Sequence, residues 1–383
     1  MNVTARPTTQ HKRREIVLTL QGGGALGAFQ VGAYAALCEQ DLRPDWIAGT
    51  SIGAINAAII AGNPPERAHE RLGEFWTLIT TPDLLVPPPN LVLLREVYNF
   101  WSAQRAAIAG QPGFFAPRLL PPIAAPPGTP AATSFYDTGP LKSTLERLVD
   151  FDRINAKEVR LSLGAVEVET GKVVYFDNHR DKITPEHVMA SGALPPAFPA
   201  IEIGGKYYWD GGIVSNTPLE ALREIPVEQD RLVVVVDLWD PHGPAPKTLL
   251  DVQARVKNIT YASRANLHIR NYSQINELRA LVHRLYQVLP PGVDDGTLWM
   301  QVESQGCPHV IDVVHLVYEE AKFELASKDY EFSRSSVARH REQGYVQAMR
   351  LLTERGWCAP AEQPAEVRIH EVEPLPEARR AKH

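Results

Sequence analysis

A serine in the first part of the chain has a setting that favours nucleophilic chemistry. It belongs to a Gly-x-Ser-x-Gly pattern, Gly49-Thr50-Ser51-Ile52-Gly53, in which the serine occupies a tight turn between a strand and a helix. An apolar stretch precedes the pattern, and a predicted helix of small residues follows it over 52–61. Ser51 would then lie at a helix N-terminus, where backbone N–H groups and the helix dipole favour a developing negative charge. We therefore predict Ser51 as a nucleophile in a turn built by Gly49, Ile52 and Gly53.

A glycine-rich stretch directly follows the first predicted strand, with the sequence Gln21-Gly22-Gly23-Gly24-Ala25-Leu26-Gly27. Ester hydrolysis passes through a tetrahedral oxyanion, which requires N–H donors that are already in place. A glycine-rich turn that opens a helix provides such donors with no side chains in the way. We predict that this turn holds the oxyanion or the substrate through Gly22, Gly23, Gly24, Ala25 and Gly27.

The same stretch fits a competing hypothesis, dinucleotide binding, because Gly22, Gly24 and Gly27 match Gly-x-Gly-x-x-Gly after a strand. That role also requires an acidic residue at the end of the second strand, where it binds the ribose. The second predicted strand has Asp41 and Asp45 at or before its start and ends in Gly-Thr-Ser. The acid is at the wrong end, so the sequence favours the oxyanion role.

A serine hydroxyl also needs a base that takes its proton. Candidate histidines, none of them in a recognisable turn motif, are His242, His268, His283, His309 and His315. Asp210 differs from them because it follows a predicted tight hairpin and precedes a polar turn at 215–218. The next two residues, Gly211 and Gly212, let the backbone bend sharply and let another group approach the carboxylate. Asp210 is therefore the predicted base.

The elements that must position these residues alternate between strand and helix. Strands are predicted over 16–20 and 45–49, and helices over 25–40 and 52–61. This alternation predicts an α/β fold of three layers, α/β/α, with a mainly parallel central sheet. Both glycine motifs would then lie at the carboxyl ends of strands, where open α/β sheets bind ligands.

The rest of the chain adds further strands and then helices. Two hairpins are predicted, over 159–176 and 200–209. A continuous apolar run at 232–236 is typical of a parallel strand that is covered on both faces. From residue 248 onward the pattern is mostly helical, with a short apolar run at 310–314. A mostly helical C-terminal extension is therefore predicted beyond the last core strand.

A proline-rich insertion interrupts this pattern at 82–140, which holds twelve of the 32 prolines. Proline at this density blocks regular helix and central strand, so we predict a long, stiff, irregular segment. Loops of this length often act as lids or binding loops, and a plain surface excursion is the alternative. The predicted organisation is a flexible arm at 1–14, a catalytic domain at 15–222, the last strand and extension at 223–358, and a flexible tail at 359–383.

Composition limits the classes of partner. Apolar residues make up 44% and charged residues 22% of the 383, as in soluble globular proteins, and the net charge is −6. No clustered basic surface for nucleic acid is predicted. Three scattered cysteines fit neither a disulfide framework nor zinc spacing, which favours a reducing cytoplasm. No secretory signal is predicted and no apolar run approaches the ~18 residues of a membrane span, so we expect any membrane contact to be peripheral.

Taken together, the three motifs resemble those of the patatin-like phospholipases. The glycine stretch at 22–27, the serine turn at 49–53 and Asp210-Gly211-Gly212 occur in that order. A further stretch at 190–199, rich in small residues and proline, is similar to a segment that precedes the aspartate in that family. The resemblance covers about 16–222, a little over half of the chain, and it is the combination of motifs that is specific.

The resemblance implies a Ser51–Asp210 dyad without a catalytic histidine, a metal or another cofactor. Ser51 would attack the acyl carbonyl of a lipid ester, and Asp210 would take its proton and later activate a water. An aspartate near its ordinary pKa of ~3.9 is a weak base at neutral pH. We therefore expect an apolar and partly dry site, which raises that pKa. Residues 329–334 and the following helix are similar to an uncharacterised extension of some bacterial members.

Three alternatives remain open at this point. An esterase that acts on short-chain or polymeric esters would use the same residues. A nucleotide-binding regulatory protein would use the glycine stretch instead, and a non-catalytic lipid-binding module would keep the fold without turnover. Acyl length, head group and oligomeric state do not follow from these motifs. The C-terminal part would add packing onto the catalytic sheet; alternatively, its predicted helices at 251–289 would present an apolar face to lipid or to a second subunit.

Overall fold

In the computed structural model, residues 14–83, 86–88, 90–223, 225–288, 300, 302, 309–354, 357 and 366–371 are described. The strands are β1 (Glu15–Leu20), β2 (Trp46–Thr50), β3 (Ala116–Pro117), β4 (Tyr136–Asp137), β5 (Arg160–Glu167), β6 (Val173–Asp177), β7 (Ile201–Ile203), β8 (Lys206–Asp210), β9 (Arg231–Asp237), β10 (Ile311–Val317) and β11 (Val367–Glu371). The helices are α1 (Ala28–Glu39), α2 (Ile52–Ala61), α3 (Pro65–Ile79), α4 (Val92–Ala109), α5 (Gly139–Leu148), α6 (Phe151–Asn155), α7 (Pro185–Ser191), α8 (Glu220–Arg223), α9 (Leu249–Gln287) and α10 (Arg334–Glu354). Short 3₁₀ turns include Gly24–Gly27 and Lys328–Tyr330.

Nine of these strands form one mixed sheet in the order β11-β10-β9-β1-β2-β5-β8-β7, with β6 also paired to β5. Neighbouring strands from β11 to β5 run parallel, and β6, β7 and β8 join as antiparallel hairpin strands. β3 and β4 form a separate two-stranded ribbon. The mainly parallel sheet and both hairpins that the sequence predicts are therefore confirmed.

Helices cover both faces of the sheet. Successive side chains of a strand point to opposite faces, so an apolar strand needs a cover on each side. On β9, Val234 and Val236 belong to the core that α1, α2, α3 and α10 cover. Val233 and Val235 point to the other face and pack with residues of α8 and α9. The predicted α/β/α layering is confirmed, and it explains why β9 is apolar along its whole length.

The strand ends are level at the centre of the sheet. Leu20, the last residue of β1, is paired with Gly49 of β2 and with Val236 of β9. The chain therefore leaves these three neighbouring strands at one edge of the sheet. The glycine stretch and the serine turn begin at this edge, side by side.

The C-terminal extension is part of the same core. Its helix α10 crosses α1 so closely that a Cβ on Gly32 would lie 1.9 Å from the Arg341 carbonyl oxygen. A Cβ on Gly344 would lie 2.0 Å from the Phe29 carbonyl oxygen. Glycine is required at both positions because the two helix backbones touch. The extension also adds β10 and β11 to the sheet.

Two sequence-based expectations are wrong in part. The insertion at 82–140 contains the regular 18-residue helix α4, because none of its twelve prolines lies between 90 and 111. The tail predicted at 359–383 includes the edge strand β11, which pairs with β10. Arg368 and His370 of β11 contact Asp312 of β10 at 2.7 and 2.8 Å, and such long-range pairing is invisible in local composition. The remainder of the predicted tail and residues 1–13 of the predicted arm lie outside the described residues.

Among the helices that the structure describes, none is both long enough and apolar enough to cross a membrane.

Candidate active site

Ser51 occupies a strained turn between β2 and α2. Its backbone has φ 58° and ψ −126°, a conformation that L-residues adopt only where the surroundings hold it. The Ser51 N–H donates to both the carbonyl oxygen and the Oγ of Ser191, each at 3.1 Å. A Cβ on Gly53 would lie 2.1 Å from the Leu20 carbonyl oxygen, and one on Gly49 would lie 2.5 Å from the Gly53 carbonyl oxygen. The glycines therefore allow α2 to start directly against β1 and β2.

Asp210 reaches Ser51 through the register of the sheet. Thr50 of β2 is paired with Gly164 of β5, and the next β5 residue, Ala165, is paired with Asp210 at the end of β8. Ser51 and Asp210 line the same cavity, and the Ser51 hydroxyl lies near enough to the Asp210 carboxyl to lower its pKa. The structure thus brings together two residues that are far apart in the chain and that the sequence singled out separately.

The Asp210 carboxylate is buried, with 1% of the residue exposed. Burial raises the pKa of Asp210 from 3.8 to about 6, although the hydrogen bonds from Ser51 and from the Gly212 N–H lower it. The Gly212 N–H donates to Oδ1 at 2.7 Å. A Cβ on Gly211 would lie 2.7 Å from the Gly164 carbonyl oxygen. Asp210 is therefore a stronger base than an exposed aspartate, and its two following glycines allow the close approach.

The glycine stretch lies directly beside Ser51. A Cβ on Gly22 would lie 2.9 Å from the Ser51 Cβ. The Gly22 carbonyl oxygen accepts from Asn216 Nδ2 and from Trp239 Nε1, each at 2.9 Å, and its N–H donates to the Asn216 carbonyl oxygen. The N–H groups of Gly23 and Gly24 have no acceptor within the described part of the chain. These two groups are available to an oxyanion.

The residues of the glycine stretch that were predicted to hold the oxyanion or the substrate differ in their positions relative to the cavity. Gly22 has already used its N–H, and it lines the cavity beside Ser51. Ala25 and Gly27 are buried within the 3₁₀ turn and do not line the cavity. Gly27 instead faces α2, since a Cβ there would lie 2.6 Å from the Ile52 side chain. Ala25 and Gly27 therefore shape the turn, and Gly23 and Gly24 face the site.

Buried polar side chains of α1, α2 and α3 hold the glycine stretch through hydrogen bonds. Gln30 Nε2 donates to the Gln21 carbonyl oxygen at 2.7 Å. Asn56 Nδ2 donates to Gln30 Oε1 at 2.8 Å and to the Gly27 carbonyl oxygen at 3.0 Å. Trp76 Nε1 in turn donates to Asn56 Oδ1 at 3.0 Å. This network was not predicted from the sequence, because its members are scattered over α1, α2 and α3.

A second buried network reaches the stretch from β9 and β10. Gln21 Nε2 donates to Thr217 Oγ1, and Thr217 Oγ1 donates to Asp237 Oδ1, both at 3.0 Å. Asp237 Oδ2 lies 2.7 Å from His315 Nε2. Burial alone would lower the pKa of His315, but hydrogen bonds to Asp237 and Glu371 raise it to about 9. His315 is thus the buried cation of an ion pair behind the glycine stretch.

A cavity of about 310 Å³ opens onto Ser51 and Asp210. Its wall is mainly apolar and aromatic, and it includes Phe114, Phe115, Tyr136, Phe198, Trp239 and Phe332. Phe114 contacts Phe332 and Phe198 with ring centroids 6.1 and 6.0 Å apart. The insertion, the 190–199 segment and the extension therefore meet in one wall, and the insertion is more than a surface excursion. No histidine is among the described residues that line the cavity.

The C-terminal extension contributes directly to the site. A Cβ on Gly24 would lie 2.0 Å from the Asp329 carbonyl oxygen, and Gly24 has a positive φ of 54°. Asp329 also pairs with Lys257 of α9 at 2.5 Å. Asp329 thus lies against the glycine stretch, and Asp329, Tyr330 and Phe332 line the cavity. The sequence singled out 329–334 by resemblance, without assigning it a role.

The described residues do not form a ribose-binding site or a metal site. Asp45 accepts from the Ile16 N–H at 2.9 Å, at the start of β1 and therefore at the opposite end of the strand from the glycine stretch. This is the wrong place for a ribose ligand, which argues against the dinucleotide hypothesis. Within the described ranges, no group of three or more histidine, cysteine, aspartate or glutamate side chains is arranged to hold a metal ion.

Comparison with known families gives two matches along the chain. Residues 18–223, more than half of the chain, match the profile of a family described as patatin-like phospholipase. Residues 259–364 match a second profile, described as patatin phospholipase. The first match includes the serine turn, the glycine stretch and Asp210, and the second includes the extension that lines the cavity.

Individual relatives are similar over parts of their length. Triacylglycerol lipase 5 of Saccharomyces cerevisiae is 49% identical over 53 residues, which is 13% of this chain and 7% of that protein. Lysophospholipase NTE1 of Cryptococcus neoformans is 23% identical over 256 residues, 64% of this chain and 12% of that protein. The chain spans between 5 and 12% of the length of the curated relatives that it matches.

Solved structures with a related outline include VipD from Legionella pneumophila. It covers 89% of this chain and 67% of its own, at 15% identity and a TM-score of 0.37. The type III effector ExoU of Pseudomonas aeruginosa covers 89% of this chain and 53% of its own, at 14% identity and a TM-score of 0.34.

Proposed function

Since the chain belongs to the patatin-like phospholipase family, we propose that it is a hydrolase that cleaves acyl ester bonds of lipids. In this proposal Ser51 is the nucleophile and Asp210 is the base. The observation that carries the proposal is that the Ser51 hydroxyl and the buried Asp210 carboxyl interact beside an apolar cavity that both residues line. The N–H groups of Gly23 and Gly24 on the adjoining stretch, which have no acceptor among the described residues, support it further.

The reaction begins when the Ser51 Oγ attacks the acyl carbonyl carbon while Asp210 takes its proton. The carbonyl oxygen becomes an oxyanion and accepts hydrogen bonds from the N–H groups of Gly23 and Gly24, at the dipole-positive start of the helical segment. As the tetrahedral intermediate collapses, Asp210 returns the proton to the departing alcohol oxygen. The acyl group is then an ester of Ser51.

Deacylation repeats these steps with water. Asp210 takes a proton from a water, whose oxygen attacks the acyl carbon and regenerates the same oxyanion. Collapse returns the proton to the Ser51 Oγ and releases the free acid. Burial of Asp210 matters here because a carboxyl with a pKa of about 6 is ionised at neutral pH and is still basic enough to take part.

The apolar wall supports an acyl chain as the group that fills the cavity. The aromatic side chains of the wall carry no ionic group, and the pocket is at the small end of the ~300–1,000 Å³ that small-molecule sites occupy. An esterase for short or polymeric esters would use the same dyad, so chain length is the property to measure. The head group is not selected by any of these contacts.

The test is hydrolysis of p-nitrophenyl esters from short to long acyl chains by the parent protein and by Ser51→Ala and Asp210→Asn. We expect a loss of ~10³-fold or more in both variants, as when a nucleophile or base is removed from other serine hydrolases. Asp152→Asn, an exposed aspartate of α6, is the matched control and should keep full activity. A fluorophosphonate probe should label the parent but not Ser51→Ala.

Each alternative has its own outcome in this experiment. Activity that both variants retain would remove the catalytic assignment, and binding of NAD or NADP would then return the nucleotide hypothesis. Lipid association without turnover of any ester would identify a non-catalytic lipid-binding module. A rate that falls steadily with acyl length would favour the short-chain esterase.

A further inference from the structure

Helix α4 has its polar and apolar faces reversed. An ordinary surface helix buries an apolar stripe and exposes polar residues. In α4 the buried stripe includes Arg95, Asn99 and Ser102. The exposed positions are occupied almost entirely by large apolar side chains: Leu93, Leu94, Val97, Phe100, Trp101 and Ile108.

The buried polar face of α4 is anchored to the C-terminal extension by one hydrogen bond from each of three side chains. Arg95 Nη2 donates to Ser335 Oγ at 3.1 Å, and Asn99 Nδ2 donates to the Phe323 carbonyl oxygen at 3.1 Å. Ser102 Oγ donates to Glu331 Oε1 at 2.5 Å. Hydrogen bonds of this kind compensate the cost of burying polar groups. The helix is therefore held in this orientation, with its apolar face outward.

The exposed apolar surface continues into the proline-rich loop. Leu119 and Ile123 are fully exposed on either side of Pro121-Pro122, and Leu120 is mostly exposed. The Arg118 N–H donates to the Phe135 carbonyl oxygen at 3.2 Å, which joins this loop to a further exposed aromatic ring. We refer to Trp101, Ile108, Leu119, Leu120, Ile123 and Phe135 as the apolar rim.

The apolar rim borders the catalytic cavity. Ala107, next to Ile108 in α4, lines the cavity, and so does Tyr136, next to Phe135. The Tyr136 hydroxyl donates to the Ala107 carbonyl oxygen at 2.5 Å, so the two parts of the rim are tied together at the cavity wall. An acyl chain that crosses the rim would therefore arrive at the cavity.

The charge of this region is also unusual for the chain. The 40 residues from Val97 to Tyr136 contain no aspartate or glutamate, whereas 45 acidic residues in 383 would place about five in such a stretch. Their only strongly basic side chains are Arg105 and Arg118. A segment with exposed apolar side chains, a tryptophan, two arginines and no acid between Glu96 and Asp137 matches a lipid surface. Tryptophan and arginine both prefer the membrane interface, and arginine pairs with phosphate.

From these observations we infer that the apolar rim docks on a lipid bilayer surface and places the mouth of the cavity against the lipids. The inference rests on the proposed function for its purpose, because a substrate lipid must leave the bilayer to reach Ser51. It adds a partner, the lipid surface, and the residues that contact it. Leu119 and Ile123 insert between the acyl chains, and proline on the loop between them limits the entropy lost on insertion.

The test uses flotation with phosphatidylcholine vesicles in a Ser51→Ala background, so that no lipid is consumed. The double variant Leu119→Glu/Ile123→Glu should lower the vesicle partition coefficient at least 10-fold, and Trp101→Glu should lower it by a smaller factor. Val346→Glu/Ile369→Glu, which alters exposed apolar residues of α10 and β11, is the matched control and should bind like the parent. With Ser51 restored, the rim variants should hydrolyse a water-soluble short ester at the parental rate and vesicle lipid at least 10-fold more slowly.

Two results would overturn the inference. The first is that the Leu119→Glu/Ile123→Glu variant floats as well as its parent. The second is that the parent fails to float and instead sediments as a dimer that this variant dissociates. That second result would identify another copy of the chain as the occupant of the apolar rim. Failure of the proposed function looks different. In that case the soluble ester is not hydrolysed by any variant, while the flotation result in Ser51→Ala still reports on the rim.

Discussion

Asp210 and Asp237 are two buried aspartates, each at the end of a strand of the central sheet, and their surroundings differ. Each is the last residue of a strand, β8 or β9, and each has 1% of its surface exposed. Asp210 accepts a hydrogen bond from the Gly212 N–H, has its pKa lowered by the Ser51 hydroxyl, and lines an apolar cavity. Asp237 is bonded to Thr217 and to the imidazole of His315.

The difference between the two regions lies in the available counter-charge. With no cation beside it, Asp210 carries the cost of burial as a raised pKa, and the proposed reaction uses that basicity. Asp237 lies beside the buried His315, whose pKa is raised to about 9 by its hydrogen bonds, so this imidazole is a cation near neutral pH. The same type of side chain is therefore the proposed base in one environment and anchors the glycine stretch in the other.

The largest effect on stability is expected for Asp237→Asn. Removal of one partner from a buried ion pair leaves the other uncompensated, which typically costs about 3–5 kcal/mol. Chemical denaturation at pH 7 measures the change in the free energy of unfolding. Because the folded pKa of His315 lies above its ordinary value of 6.5, the stabilisation is fully present below about pH 6.5 and is lost as the pH rises through about 9. The cost of Asp237→Asn should therefore shrink at pH 10, and a cost that does not change with pH would contradict the ion pair.

The Asp210→Asn substitution should increase the free energy of unfolding, whereas Asp237→Asn should decrease it. The pKa of about 6 in the folded protein lies above the ordinary 3.8, so ionisation of this buried group destabilises the fold as the pH rises between those values. A neutral amide avoids that cost and should increase stability at pH 8 by about 2–3 kcal/mol, at about 1.4 kcal/mol per pKa unit. Thermal unfolding at pH 8 and pH 5 tests this, because the gain should be smaller at pH 5. An Asp210→Asn protein that is less stable than the parent at pH 8 would show that the carboxylate is compensated after all.

The smallest expected effect distinguishes the role of Asp210 from that of the Asp237 network through the pH dependence of the reaction. Once protonated, Asp210 cannot accept the Ser51 proton, so kcat/KM should fall about tenfold per pH unit below about pH 6. Thr217→Val, which removes the hydroxyl between Gln21 and Asp237, should lower kcat but leave this apparent pKa where it is. The pH–rate profiles of the two proteins on a short ester make the comparison. A profile that is flat down to pH 4 would exclude a buried carboxylate as the base.

The serine turn could be predicted from the sequence because its geometry is local. A positive φ at Ser51 and the contact of Gly53 with the end of β1 involve only a strand, a turn and the following helix. The main strands and both hairpins were predictable for the same reason, since side-chain alternation and turn residues act over a few positions. The resemblance to a known family then linked Ser51 to Asp210 before any distance was known.

The helix α4 and the strand β11 could not be predicted in this way. The reversed polarity of α4 is explained by partners such as Phe323, Glu331 and Ser335, which lie more than 200 residues further along the chain. Strand β11 depends on a neighbouring strand, because an edge strand with few apolar residues is stabilised by its ladder and by ion pairs such as Arg368–Asp312. Local composition contains neither partner.

At the site, the residue types could be identified from local sequence: a serine in a tight turn, a glycine stretch after a strand and an aspartate followed by two glycines. Which of them lie together depends on the packing of distant segments. That packing placed Gly23 and Gly24, rather than Ala25 and Gly27, toward the cavity, and it supplied Asn216 and Trp239 as the clamp on Gly22. The physical reason is that a turn depends on neighbouring residues, whereas burial, counter-charge and the direction of an N–H depend on packing between distant segments.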